Sequence, residues 1–178
     1  MHARQSLPPS ILRVMEAQAG VVSRQQLLKA GLSHSVISRV SREWRAIVPG
    51  IYCSIPASWN AAVWARSLRG GPPSVLSGAA SGHLDGYIRD APRTLSIWTP
   101  ERRSGFVIDR FEVRFRKGAR TGRGQPTRTR VETSLLDMAG ESDEIPTVAA
   151  LTAALAQSKT IPSRVLAEMK LRRRIRHS

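Results

Sequence analysis

Serine and arginine side chains share one side of a short segment near residue 38. Ser35, Ser38, Arg39 and Arg42 recur at helical spacing, which places them on one face. An arginine guanidinium can donate two parallel hydrogen bonds to guanine or clamp a phosphate, and small serines let a helix lie deep in a groove. An ordinary solvated face is the alternative, but such faces are usually richer in Glu and Lys. The pattern therefore favours contact with duplex DNA.

Two short helices would position this face. Ser23 and Gln26 have the spacing of a capping box, and Gly31 ends the helix that follows. Ser33 caps a second helix over residues 34–43, and a Gly-containing turn between two helices is typical of a helix-turn-helix. The apolar side of the second helix consists of Val36, Ile37, Val40 and Trp44.

A β-hairpin is predicted directly after these helices, because β-branched and aromatic residues flank Pro49-Gly50. A first helix over residues 9–19 would cover the same core, and Pro56 is a natural boundary. We therefore predict a winged helix-turn-helix domain over residues 1–56, with Arg45 and the hairpin bracing phosphates. The predicted DNA-contacting residues are Arg24, Ser33, His34, Ser35, Ser38, Arg39, Arg42 and Arg45.

Charge supports a polyanionic partner. The 178 residues include 28 Lys and Arg against 13 Asp and Glu, a formal net charge of +15. Such a field attracts nucleic acid irrespective of sequence, and an anionic membrane surface as well. We expect no membrane partner, because no segment is apolar enough to span a bilayer. Cys53 is the only cysteine, which argues against a disulfide framework and favours the cytoplasm.

The second part of the chain is predicted to be a small mixed sheet-and-helix domain over residues 57–160, which makes the whole chain α+β. Ser58 caps a helix, and strand patterns cover 94–98 and 107–115. Helices are expected near 131–139, 147–157 and 162–169. Residues 161–178 form a basic helix or tail, either a nucleic-acid tail or the frayed end of a helix.

A basic segment lies between Arg102 and Arg130, and its loop 116–126 is expected to be mobile. It predicts a second surface for phosphates or for an acidic protein; a platform that stacks single-stranded bases is disfavoured, because Phe111 and Phe115 alternate as core positions. The candidate residues are Arg102, Arg103, Arg114, Arg116, Lys117, Arg120, Arg123, Arg128 and Arg130.

Catalytic patterns are weak. The four histidines lack metal-ligand spacing, and no glycine-rich loop joins a strand to a helix. Asp109, Glu112 and Arg114 faintly resemble a nuclease site, but Arg stands where such sites have Lys, and exposed strand charges are the simpler interpretation. We predict no enzyme activity, no cofactor and no metal.

Several segments resemble a known family. Residues 20–33 and Trp44-Arg-Ala-Ile-Val-Pro-Gly-Ile-Tyr52 resemble the winged-helix domain of AbiEi-family antitoxins of type IV toxin–antitoxin systems. Residues 75–86 and 125–139 are similar to the small-residue helix and the Leu-Leu-Asp stretch of longer bacterial relatives. Many of those relatives continue into a domain like the very-short-patch-repair endonucleases. The chain ends at Ser178, about where that domain would begin, so we expect no nuclease activity.

The resemblance implies a repressor that binds double-stranded operator DNA of its own operon. It also implies an antitoxin that opposes a nucleotidyltransferase-like toxin without a stable complex. Two alternatives remain open: a basic protein-interaction module, and an inactive remnant of, or accessory to, the nuclease family. The sequence does not determine the oligomeric state.

Overall fold

The computed structural model describes residues 7–172. Its first part, the N-terminal region, is residues 7–56, and its second part, the C-terminal region, is residues 57–172. Residues 173–178 of the predicted basic tail lie outside the described range.

The N-terminal region contains three helices and a three-stranded sheet. Both predicted caps form: Ser23 and Gln26 make the capping box, and the Ser33 side chain accepts a hydrogen bond from Val36 N. The second predicted helix is divided, because its last three residues tighten into a 3-10 turn. The elements are α1 (Pro9–Ala17), β1 (Val21–Ser23), α2 (Arg24–Lys29), α3 (His34–Val40), the 3-10 turn (Ser41–Glu43), β2 (Arg45–Val48) and β3 (Ile51–Cys53).

The sheet of this region is antiparallel, in the order β1-β3-β2. The hairpin of β2 and β3 was expected from the sequence, whereas β1 was not. Strand β1 has only three residues, and its last residue is also the N-cap of α2. The sequence of this segment was therefore assigned to the start of the helix alone. The resulting element order is α1-β1-α2-α3-β2-β3, and the winged-helix assignment stays a prediction.

The C-terminal region contains a four-stranded sheet in the order β4-β5-β7-β6, with β5 and β7 parallel. The predicted α+β class is confirmed. The elements are α4 (Trp59–Gly70), β4 (Val75–Ser77), α5 (Gly78–Leu84), β5 (Thr94–Thr99), β6 (Phe106–Ile108), β7 (Phe111–Lys117), α6 (Val131–Ala139), α7 (Glu144–Ala156) and α8 (Pro162–Leu171).

The two faces of the larger sheet differ in chemistry because side chains alternate along a strand. Leu95, Ile97 and Val113 are buried in the main apolar core, which includes residues of α4. Ser96 and Trp98 occupy the alternate positions of β5 and bond to carboxylates of the α6 segment. One face therefore builds the apolar core, and the other builds a polar layer.

The main apolar core crosses the predicted boundary at Pro56. Val21, Ile51 and Cys53 of the N-terminal sheet lie in the same buried cluster as residues of α4 and the larger sheet. Val22 and Tyr52 point the opposite way, into a separate cluster with α1, α2 and α3. The small sheet is thus apolar on both faces, and each face packs on a different partner. The limits of the two predicted domains stay a prediction, and the two regions share this core.

Among residues 7–172, no helix combines the length and the apolar character needed to cross a bilayer.

Candidate nucleic-acid interface

Helix α3 presents one buried and one exposed face, as its sequence predicts. Ile37 is fully buried, and Val36 and Trp44 pack against the same cluster. Ser35, Ser38 and Arg39 lie exposed on the opposite face. The packing of Ile37 therefore fixes which side chains α3 offers to solvent.

All eight predicted DNA-contacting residues are exposed and come from α2, the N-cap of α3, α3 itself, the 3-10 turn and the first residue of β2. Nη2 of Arg24 lies 2.7 Å from Nδ1 of His34. A guanidinium cannot accept a hydrogen bond, so in this contact Nδ1 is the acceptor. The contact links the start of α2 to the start of α3.

The hairpin is attached to the same surface. The backbone N–H of Arg24 donates to the carbonyl of Gly50 at 2.8 Å, and Gly50 has a φ of +79°, a conformation that favours glycine. The turn between β2 and β3 is therefore held beside α2, and the helices and hairpin form one continuous surface.

Within residues 7–172, the arginines of this surface take part in no ion pair. They are Arg24, Arg39, Arg42 and Arg45. Glu16 and Glu43 are the only acids between residues 7 and 56, and both are exposed. The surface therefore keeps its positive charge uncompensated.

The second predicted basic surface is largely paired within the chain. Six of its nine residues form ion pairs with carboxylates of the chain itself. The pairs are Arg103–Glu101, Arg114–Glu112, Arg116–Glu141, Arg120–Asp137, Arg123–Asp85 and Arg128–Asp85. Within the described range, Arg102, Lys117 and Arg130 are without such a pair.

The loop expected to be mobile is attached at several points. Arg120 Nη2 lies 3.2 Å from Asp137 Oδ1, and the Arg120 guanidinium stacks 3.8 Å from the Trp98 ring centre. Further along, Arg123 and Arg128 share the buried carboxylate of Asp85. The arginines of this loop therefore hold it to the rest of the fold. Its glycine content had suggested a mobile loop.

Asp137 is the most connected acid that sequence reasoning missed. Its side chain is 2% exposed. Oδ2 accepts from the Ser77 hydroxyl and from Trp98 Nε1 at 2.9 Å, and Oδ1 accepts from Arg172 Nη1 at 2.9 Å. The available signal was an aspartate placed between Leu136 and Met138, since a charge buried among apolar residues needs partners.

Glu141 lies next to this cluster, just after α6. Its Oε2 accepts from the Ser96 hydroxyl, and its Oε1 lies 2.8 Å from Arg116 Nε outside hydrogen-bond geometry. Burial raises the pKa of Glu141 above its usual range, with the Ser96 hydrogen bond and Arg116 opposing the shift. Desolvation is therefore the larger effect at this carboxyl.

The weak catalytic patterns have structural explanations. His83 packs edge-on against Trp59 with ring centres 4.8 Å apart, and its Nδ1 lies 3.0 Å from the Ile88 carbonyl. Both oxygens of Glu112 accept hydrogen bonds from Arg114 at 2.8 Å, and this contact lowers the pKa of Glu112. Within residues 7–172, no three His, Cys, Asp or Glu residues cluster as metal ligands would.

No protein-family model matches the chain, and no curated protein matches its sequence. The resemblance to AbiEi antitoxins therefore stays a prediction.

Proposed function

We propose that this protein is a sequence-specific regulator of transcription that binds double-stranded DNA through its N-terminal region, used as a winged helix. The arrangement of α2, α3 and the hairpin supports the proposal. Helix α3 would enter the major groove, and the hairpin of β2 and β3 would lie along the flanking backbone.

The observation that carries the proposal is the exposed face of α3 with its uncompensated arginines. An arginine already paired to a carboxylate would lose that contact on binding DNA, whereas Arg39 and Arg42 would not. Ser35 and Ser38 add small hydroxyl groups on the same exposed face. A guanidinium reaching a guanine edge from this face would supply two hydrogen bonds, the commonest specific contact in the major groove.

The hairpin and Arg45 have a different proposed role. Arg45 is exposed at the start of β2, and the turn is held beside α2 by the Arg24–Gly50 hydrogen bond. This position suits contact with phosphates, which fix register without reading sequence. Arg24 and His34, whose side chains are in contact at the starts of α2 and α3, would also contact the backbone.

Selection of binding sites from a random duplex library, followed by affinity measurement, tests the proposal. We expect enrichment of one defined site. Arg39→Ala should weaken binding to that site by about 10- to 100-fold and binding to random DNA by less, as for a base-reading arginine. Arg13→Ala is the matched control, since Arg13 is exposed on α1, away from α3.

Three outcomes contradict the proposal or part of it. Failure to enrich any sequence would exclude sequence-specific recognition. Equal losses on the selected site and on random DNA would make Arg39 a phosphate contact. Full binding by both Arg39→Ala and Arg42→Ala would remove α3 from the interface.

Antitoxin activity is a proposal drawn from the resemblance alone. Rescue of cells that express a nucleotidyltransferase-like toxin would test it. The alternative function, a basic protein-interaction module, is less favoured. Most arginines of the predicted basic surface already form ion pairs with carboxylates of the chain itself.

A further inference from the structure

A cleft of about 620 Å³ lies between the two regions of the chain. One wall comes from α2 and the turn between β2 and β3, and the other from the end of α4 and the segments around Ser74 and Pro126. Cavities that bind small molecules commonly measure about 300–1,000 Å³. The size of the cleft therefore suits a small organic ligand.

The lining of the cleft is both apolar and positively charged. Leu28, Trp64 and Leu68 supply apolar surface, and Arg24 and Arg69 supply charge. None of the described residues that line it is Asp or Glu. Nε of Arg69 is shielded from solvent and has no hydrogen-bond partner within residues 7–172. The Arg69 side chain therefore brings a positive charge to the cleft wall that no carboxylate of the described lining offsets.

A second cation lies directly behind the wall. Arg66 is fully buried, and its guanidinium donates to the carbonyls of Ser74 at 3.4 Å and Thr127 at 2.9 Å. Both of those residues line the cleft. Burial lowers the pKa of Arg66 to about 10, so the group is still charged at neutral pH. No carboxylate of the described chain pairs with it. Its charge therefore adds to the positive potential inside the cleft.

We propose that this cleft binds a small organic anion, with a carboxylate, sulfonate or phosphate group beside Arg69 and an apolar or aromatic group against Trp64 and Leu68. An anion would meet the positive charges of Arg24 and Arg69 on the cleft wall and would reduce the cost of the buried Arg66 charge. The apolar contacts would select against inorganic ions. This binding does not require that the chain bind DNA.

Fluorescence titration of the full chain with the aromatic anion anilinonaphthalene sulfonate tests the proposal. We expect one site, with affinity about tenfold weaker in Arg69→Gln, because a charge-assisted hydrogen bond is lost. Gln125→Glu should weaken the dye by about fivefold, because it places a like charge on the cleft wall. Circular dichroism spectra of the variants confirm that they fold.

Two matched controls separate local from overall charge. Arg13→Gln removes one positive charge outside the cleft, and Gln157→Glu adds one negative charge after α7, also outside the cleft. Both should bind the dye as the unmodified chain does. Equal weakening in the controls and in the cleft variants would overturn the proposal, since the dye would then respond only to net charge.

Two further outcomes also overturn it. Ile145 is 83% exposed on α7, and loss of dye binding only in Ile145→Gln would place the dye on that helix. Unchanged dye affinity in both Arg69→Gln and Gln125→Glu would place the dye outside the cleft. Weaker binding in both cleft variants, with unchanged binding in the two controls, supports the proposal.

Discussion

Arginine serves different purposes in the two regions of this chain. In the N-terminal region, Arg24, Arg39, Arg42 and Arg45 are exposed and, within residues 7–172, have no acid partner. In the C-terminal region, arginines near the larger sheet bind Asp85, Asp137 and Glu141. An excess of basic residues therefore has no single meaning: the same side chain is available to a ligand in one region and is part of the fold in the other.

The largest expected effect comes from removing the most connected acid. Asp137→Ala would leave Arg120 and Arg172 without their buried partner, and breaking such a pair costs about 3–5 kcal/mol. Urea unfolding measures the loss. Asp143→Ala is the control, because Asp143 is exposed and its side chain makes no cap hydrogen bond. A loss no greater than that of the control would show that the paired arginines do not stabilise the fold.

The shared core predicts that the two regions unfold together. Val21 is fully buried in the cluster that crosses Pro56, so Val21→Ala should lower the free energy of unfolding by about 1–3 kcal/mol. Tryptophan fluorescence reports on both regions, since Trp44 lies in one and Trp98 in the other. We expect one transition. Two separate transitions would show that the regions unfold independently, if Val21→Ala shifted only the transition of the N-terminal region.

A smaller effect should separate unpaired from paired arginines on DNA. Arg45→Ala should reduce the slope of log affinity against log salt concentration by about one, as expected for one lost phosphate contact. Arg114→Ala should leave the slope unchanged, because Arg114 is bound to Glu112. Equal changes in the two variants would mean that pairing does not decide which arginines contact DNA.

The smallest expected effect is a pH dependence at Glu141. Because burial raises its folded-state pKa above 4.5, the folded chain holds this proton more tightly than the unfolded chain. Glu141 therefore makes stability fall as pH rises from about 4.5 through the raised pKa. Glu141→Gln should remove that contribution. Unfolding curves of the unmodified chain and of Glu141→Gln, measured across this pH range, separate the contribution of Glu141 from that of the other carboxyls. Identical pH profiles of the two proteins would contradict a raised pKa at Glu141.

The sequence predicted the N-terminal region better than the C-terminal region, for a local reason. The caps at Ser23 and Ser33 and the turn at Pro49-Gly50 act over three or four residues, so their signals are readable in the sequence. Strands β1 and β4 were missed because each has three residues and depends on distant partners.

The acid partners of the arginines were hidden for the same reason. Asp85 binds Arg123 across 38 positions, and Ser77 reaches Asp137 across 60. No pattern of charge or spacing along the chain records such a contact. The exposed face of α3 was predicted correctly because helical periodicity determines it. Which arginines are paired could be known only from the tertiary structure.

The two arginines that share Asp137 leave the ribosome at different times. Arg120 precedes Asp137 by 17 positions, and Arg172 follows it by 35. At about 5–20 residues per second, synthesis of the stretch from Asp137 to Arg172 takes roughly 2–7 s. During that interval Ser77, Trp98 and Arg120 have already been synthesised, and Oδ1 of the carboxylate has Arg120 as its partner. Arg172 then adds a second hydrogen bond to the same oxygen and joins the end of α8 to α6.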